Sequence, residues 1–167
     1  NQSILRRVRY VGLCGNPYRA PGDQIGPDPG GFGVIGPLQP STTRPAPRAQ
    51  WHNFALPGDL ITSCPQDSLV RLVYPLTRWM SIQTPDKWAR DLQSKLTVWW
   101  VLRNIPELRD FRKLPQLAAR VAVAARQVGF YQSSGIHGQY AIRRLSPSLP
   151  TPTNHIIKSL EEIAWQS

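Results

Sequence analysis

The sequence predicts an α/β fold, part of a doubly wound, mainly parallel sheet with a helical region inserted into it. Two short apolar runs, at 8–13 and 51–56, each stop abruptly at a loop rich in Gly and Pro, as buried strands do. The stretches at 67–131 and 154–165 instead place apolar residues at helical spacing. A chain of 167 residues, 41% of them hydrophobic, is long enough to bury one core of useful size.

The first strand, Val-Arg-Tyr-Val-Gly-Leu, runs into Cys14-Gly15-Asn16-Pro17. From Asn16 to Arg48 the repeated Pro and Gly exclude helix and central strand, so an ordered, irregular excursion is expected, pinned by Tyr18, Phe32, Val34 and Ile35. The second strand breaks at Pro57-Gly58-Asp59, which sets a carboxylate on a loop held by a rigid element. Asp67 is placed to cap a helix running to about Met80, with Pro75 kinking it. Thr84-Pro85 opens a helix to about Arg103, and a third helix runs from Pro115 to about Val128, ended by Gly129. Gln132 to Gly138 reads as a loop carrying His137 between Gly135 and Gly138, and a last helix spans about Asn154 to Trp165. The organisation expected is therefore a sheet segment with its acid loop at 1–66, a helical linker or cap insertion at 67–131, and a histidine loop with a closing helix at 132–167.

Composition bounds the function. A formal net charge of +10 suits an anionic partner, or simply a soluble basic surface. Two cysteines, Cys14 and Cys64, make neither a disulfide framework nor a metal site, although a single bridge between strand ends stays open. No stretch has the character of a transmembrane helix or a signal peptide, and no cofactor or metal is called for. The first residue is Asn, which is read as the start of a processed or partial product.

Chemistry can be sought among three histidines. His52 lies within the second strand, His155 opens the last helix, and His137 has the glycine-flanked setting that exposes an imidazole. An Asp after a strand end, followed by a downstream His, matches the order of the last two members of a Ser, Asp, His triad on an α/β-hydrolase sheet. No serine in the sequence sits in a Gly-x-Ser-x-Gly elbow. Cys14, at the end of the first strand, is the substitute nucleophile to weigh, but the loop after it offers no helix N-terminus to lower its pKa.

The stretches Gly15 to Asp23, Pro27 to Pro37 and Phe54 to Asp59 resemble the later half of the mycobacteriophage lysin B family, cutinase-like serine esterases of the α/β-hydrolase fold. His137-Gly138-Gln139-Tyr140 and the closing Glu162-Ile163-Ala164-Trp165 resemble that family's histidine loop and last helix, while the middle helices match only in kind. The resemblance implies Asp59 as triad acid and His137 as base, with His155 second in line. It implies a helical linker over the active site, where Trp79, Trp88, Trp99 and Trp100 would line a substrate cleft. It further implies a partial α/β-hydrolase whose nucleophilic serine lies on an N-terminal segment upstream of this chain. The expected substrate is a mycolyl-arabinogalactan-type lipid ester, and the expected place of action is the envelope of a phage-infected bacterium. Two alternatives remain at this stage. One is a non-catalytic, envelope-binding domain of a phage tail, in contact with other virion proteins. The other is nucleic-acid binding, which rests on charge and aromatics alone.

Overall fold

The computed structural model describes residues 6–36, 49–76 and 85–165. It is a mixed α/β structure in which the described residues form a sheet of two parallel strands, β1 (Tyr10–Cys14) and β2 (Gln50–Phe54), paired in the register Gly12 to His52. The sequence places both strands within two or three residues. Among the described residues five α-helices follow: α1 (Val70–Val73), α2 (Pro85–Lys95), α3 (Val98–Asn104), α4 (Leu114–Ser134) and α5 (Pro152–Trp165).

The helices depart from expectation in three places. Within the described residues, the segment expected as one kinked helix from Asp67 gives the four residues of α1 and a 3-10 turn at Tyr74–Leu76. Leu69, not Asp67, stands at its N-cap, and its expected end near Met80 lies outside the described residues. The helix expected to reach Arg103 is two helices, because the Thr97 hydroxyl accepts the N–H of Trp100 at 3.2 Å and starts α3 afresh. The third helix runs straight through Gly129 and stops only at Gly135, whose φ of 58° is the left-handed conformation glycine favours. Carrying Gly129 inside a helix costs about 1 kcal/mol. Continuing the helix buries Tyr131 edge-on against Trp88, with ring centroids 5.7 Å apart, and that burial outweighs the cost.

The core is one cluster drawn from all three stretches of the chain. It joins Val34 and Ile35, Phe54 and Leu56, Leu92 and Val101, and Val121, Val128 and Ile136. The irregular segment before Gly36 is ordered, as expected, but its pins differ. Phe32, Val34 and Ile35 are buried, whereas Tyr18 is largely exposed. The work falls to two buried guanidiniums. Arg71 donates to the carbonyls of Phe32, Gly33, Val34, Cys64 and Pro65 and stacks on the Phe32 ring. Arg19 donates to the carbonyls of Ala20, Gly30, Gly31 and Thr62 and to Gln24. Residues 37–48, the remainder of the expected excursion, lie outside the described residues. Cys14 and Cys64 are free, so the bridge is not formed. Among the described residues no helix is long and apolar enough to cross a membrane.

Candidate active site

The site grows from the end of β2. Leu56-Pro57-Gly58-Asp59 closes as a β-turn, with the Asp59 N–H on the Leu56 carbonyl at 3.1 Å. Proline at the second position and glycine at the third, with φ of 84°, are the residues a type II turn demands. Phe130 of α4 packs onto that glycine so tightly that a β-carbon there would lie 2.5 Å from the ring. A second turn follows at once, in which the N–H groups of Thr62 and Ser63 return to the Asp59 carbonyl at 3.1 and 2.7 Å. Asp59 is thus fixed at the backbone on both sides.

Its carboxylate is fully buried and fully occupied. Oδ1 accepts the Ile61 N–H at 3.0 Å, and Oδ2 accepts the Tyr140 hydroxyl at 2.6 Å. His137 Nδ1 lies 3.0 Å from Oδ2 and 3.2 Å from Oδ1. A buried charge without partners would be costly, and here every partner is a donor held by packed structure. The Tyr140 hydroxyl also lies 3.2 Å from Thr62 Oγ1. Burial and the adjacent Asp59 charge push the Tyr140 phenol far above its ordinary range, so it stays a donor at every physiological pH.

His137 is not on an open loop. It sits on a 3-10 helix, Ile136–Ala141, begun by the left-handed Gly135. Three residues per turn bring His137 and Tyr140 to the same side, and both reach Asp59. The imidazole lies between Tyr131 and Tyr140, each with its ring centroid 6.1 Å away, and keeps a side-chain exposure of 15%. It stands over the end of β1, where a β-carbon built on Gly15 would fall 2.5 Å from His137 Cε1 and 3.0 Å from Nε2. With Nδ1–H directed to the carboxylate, Nε2 is the free basic nitrogen. Among the described residues none hydrogen-bonds Nε2. The arrangement can take a proton from a hydroxyl presented at Nε2 and hold the resulting imidazolium against Asp59.

The structure thus brings together Asp59 and His137, the two residues singled out in the sequence. His155 goes elsewhere, meeting Phe54 and His52 in edge-type ring contacts with centroids 5.4 Å from each. Cys14 is exposed at the end of β1, and its thiol is pushed up to about 11 by partial desolvation, which disfavours the reactive thiolate. The tryptophans are dispersed. Trp88 is a core residue at 1% exposure, Trp100 packs partly buried against the core, Trp99 projects into solvent, and Trp79 lies outside the described residues. The groove on the flank of the acid loop is lined instead by Gly58, Leu60, Ser63, Arg126 and Phe130, and holds about 380 Å³.

Compared with models of known protein families, with curated proteins and with solved structures, the chain finds no match.

Proposed function

We propose that Asp59 and His137 are the acid and base of a serine esterase whose nucleophile lies outside the described residues. One observation carries the reading: a fully buried carboxylate 3.0 Å from Nδ1 of a histidine whose ring edge still meets solvent. In this reading Nε2 takes the hydroxyl proton as the serine oxygen bonds to the ester carbonyl carbon. The imidazolium, held by Asp59, then gives that proton to the leaving alkoxide as the C–O bond breaks. Water repeats the sequence on the acyl-enzyme and releases the acid. Tyr140 and the Ile61 N–H keep Asp59 aimed at Nδ1 throughout.

The resemblance to lysin B esterases supports the finer reading, in which the sheet is part of an α/β-hydrolase and the nucleophilic serine arrives on an N-terminal segment. It also supports a phage-encoded enzyme that cleaves mycolyl-arabinogalactan-type lipid esters at the host envelope. The groove beside the acid loop, walled by Leu60 and Phe130 with Arg126 on its rim, suits an ester with an apolar portion. The test is hydrolysis of p-nitrophenyl butyrate by the assembly of this chain with the nucleophile-bearing segment. Asp59→Asn and His137→Ala are each expected to lower kcat by about 10³-fold or more. Undiminished turnover in either variant would overturn the assignment.

A second reading has one observation in its favour, since no described residue presents a nucleophile to Nε2. In it the chain is a hydrolase-like, envelope-binding domain of a phage tail without turnover. Binding of isolated mycolate-containing envelope, with no ester cleavage by the assembly, would favour this second reading.

A further inference from the structure

Helix α4 turns an apolar face outward as well as inward. Along its 21 residues Leu117, Val121, Ala124, Val128 and Tyr131 are buried, all on one side. Successive residues turn by roughly 100°, so Ala119, Ala122, Val123, Arg126 and Phe130 share an arc of roughly 100° on the opposite side. All five are exposed, Val123 at 44% and Phe130 at 52%. A helix that packs on a core by one face ordinarily carries charged and polar residues on the other. Here Arg126 is the single charge in the outward arc, and α4 holds no acidic residue along its length.

Arg126 has no hydrogen-bond or ion-pair partner among the described residues. Val123 stands one turn before it and Phe130 one turn after, which makes both its neighbours on the helix surface. An arginine between apolar neighbours can lay its stem along them and hold its charged head in a polar layer above. Phe130 also ties this face to the candidate site. Its ring packs on Gly58 of the acid loop, and with Arg126 it walls the groove of about 380 Å³. The outward face of α4 therefore runs onto the mouth of that groove.

We infer that the outward face of α4 docks on a lipid surface bearing anionic headgroups, with Val123 and Phe130 at the acyl boundary and Arg126 among the phosphates. Charge and apolarity together select this occupant. A second copy of the chain would bring its own Arg126 and again no acid from α4, so neither face would neutralise the other. A nucleic acid would meet the arginine and leave Val123 and the two alanines without an apolar partner. An anionic lipid surface meets both. The docking stands on α4 alone and serves either reading of Asp59 and His137. In the esterase reading it sets the mouth of the groove against the layer that holds the substrate.

The probe is phosphatidylcholine vesicles with and without phosphatidylglycerol, mixed with the full chain, and binding is read by flotation. The chain is expected to float with the phosphatidylglycerol vesicles, and Arg126→Gln to weaken binding roughly fivefold. Val123→Glu should abolish it while circular dichroism and Tm match the parent. Ala122→Glu, which puts a good helix former at another exposed position of the same face, is the second variant should Val123→Glu unfold. Ile157→Glu adds the same charge to an exposed residue of α5, which packs on β1 and the 3-10 helix at Ile136–Ala141, and should leave binding intact. Absent binding, equal binding to neutral vesicles, or binding that survives both α4 glutamates would overturn the inference. So would a dimer of the chain that Val123→Glu dissolves. No ester enters this assay, so an assembly without turnover would sink the esterase and leave the docking face standing, while turnover without vesicle binding would do the reverse.

Discussion

Replacing Tyr140 with Phe removes one oxygen from the middle of the site and leaves the packing of the ring in place. The hydroxyl lost is the 2.6 Å donor to Asp59 Oδ2, a hydrogen bond to a buried charge. Such bonds contribute about 1.5–3 kcal/mol. Thr62 Oγ1 loses a neighbour at 3.2 Å but keeps Ser63 Oγ at 3.3 Å, so its share of the change is small. At about 2–4 °C per kcal/mol for a chain of this size, Tyr140→Phe should lower Tm by about 3–12 °C. The assay is urea unfolding at pH 7 of the parent, Tyr140→Phe, Asp59→Asn and the double variant. The cycle should return a coupling of about 1 kcal/mol or more between the two positions. A single-variant loss below about 0.5 kcal/mol, or strict additivity in the cycle, would refute the role given to the Tyr140 hydroxyl.

Stability should fall on the alkaline side. Burial holds the phenols of Tyr140 and Tyr131 above their ordinary range and the Cys64 thiol at about 11. The unfolded tyrosines ionise near pH 10. The folded chain therefore keeps protons that the unfolded chain has lost, so stability is intact below about pH 8.5, begins to decline as the unfolded Cys64 thiol ionises, and falls more steeply above pH 10 as the unfolded tyrosines do. Each such tyrosine adds a slope of about 1.4 kcal/mol per pH unit, and Tyr140→Phe should flatten the decline in urea titrations between pH 9 and 11. Gly15→Ala should cost about 1–2 kcal/mol through its φ of 78° and displace His137, visible as a shifted imidazole resonance and lost turnover in the assembly. Arg71→Lys cannot reach five carbonyls at once and should destabilise by about 3 kcal/mol or more, with limited proteolysis cutting first near Phe32.

The pairing of Asp59 with His137 was legible because its signals are local. A carboxylate directly after Pro-Gly at the end of an apolar run is a turn with a stated chemistry, and three histidines leave a short search. Tyr140 was within reach as well, since a 3-10 turn after Gly135 sets residues three apart on one side. Its place three residues after His137 was noted in the sequence, but reading the segment as an open loop hid its hydrogen bond to Asp59. Arg19 and Arg71 were not legible, because nothing near either in sequence marks it as buried. Their partners reach as far as Thr62 for the first and Phe32 for the second, and only the folded chain brings those carbonyls together. Gly129 misled in the opposite direction, as a local helix-stop signal overridden by the burial of Tyr131 two residues on. The tryptophans shared one residue type and not one location, so composition gave no means of separating Trp88 in the core from Trp99 in solvent.

The most direct test of the esterase reading is covalent. A fluorophosphonate probe reacts with a serine only when an adjacent base activates it. Applied to this chain assembled with the nucleophile-bearing segment that the esterase reading requires, the probe is expected to label a single serine in that segment, with labelling lost in His137→Ala and strongly slowed in Asp59→Asn. Labelling that persists at full rate without His137, or a folded assembly that takes up no probe, would contradict it.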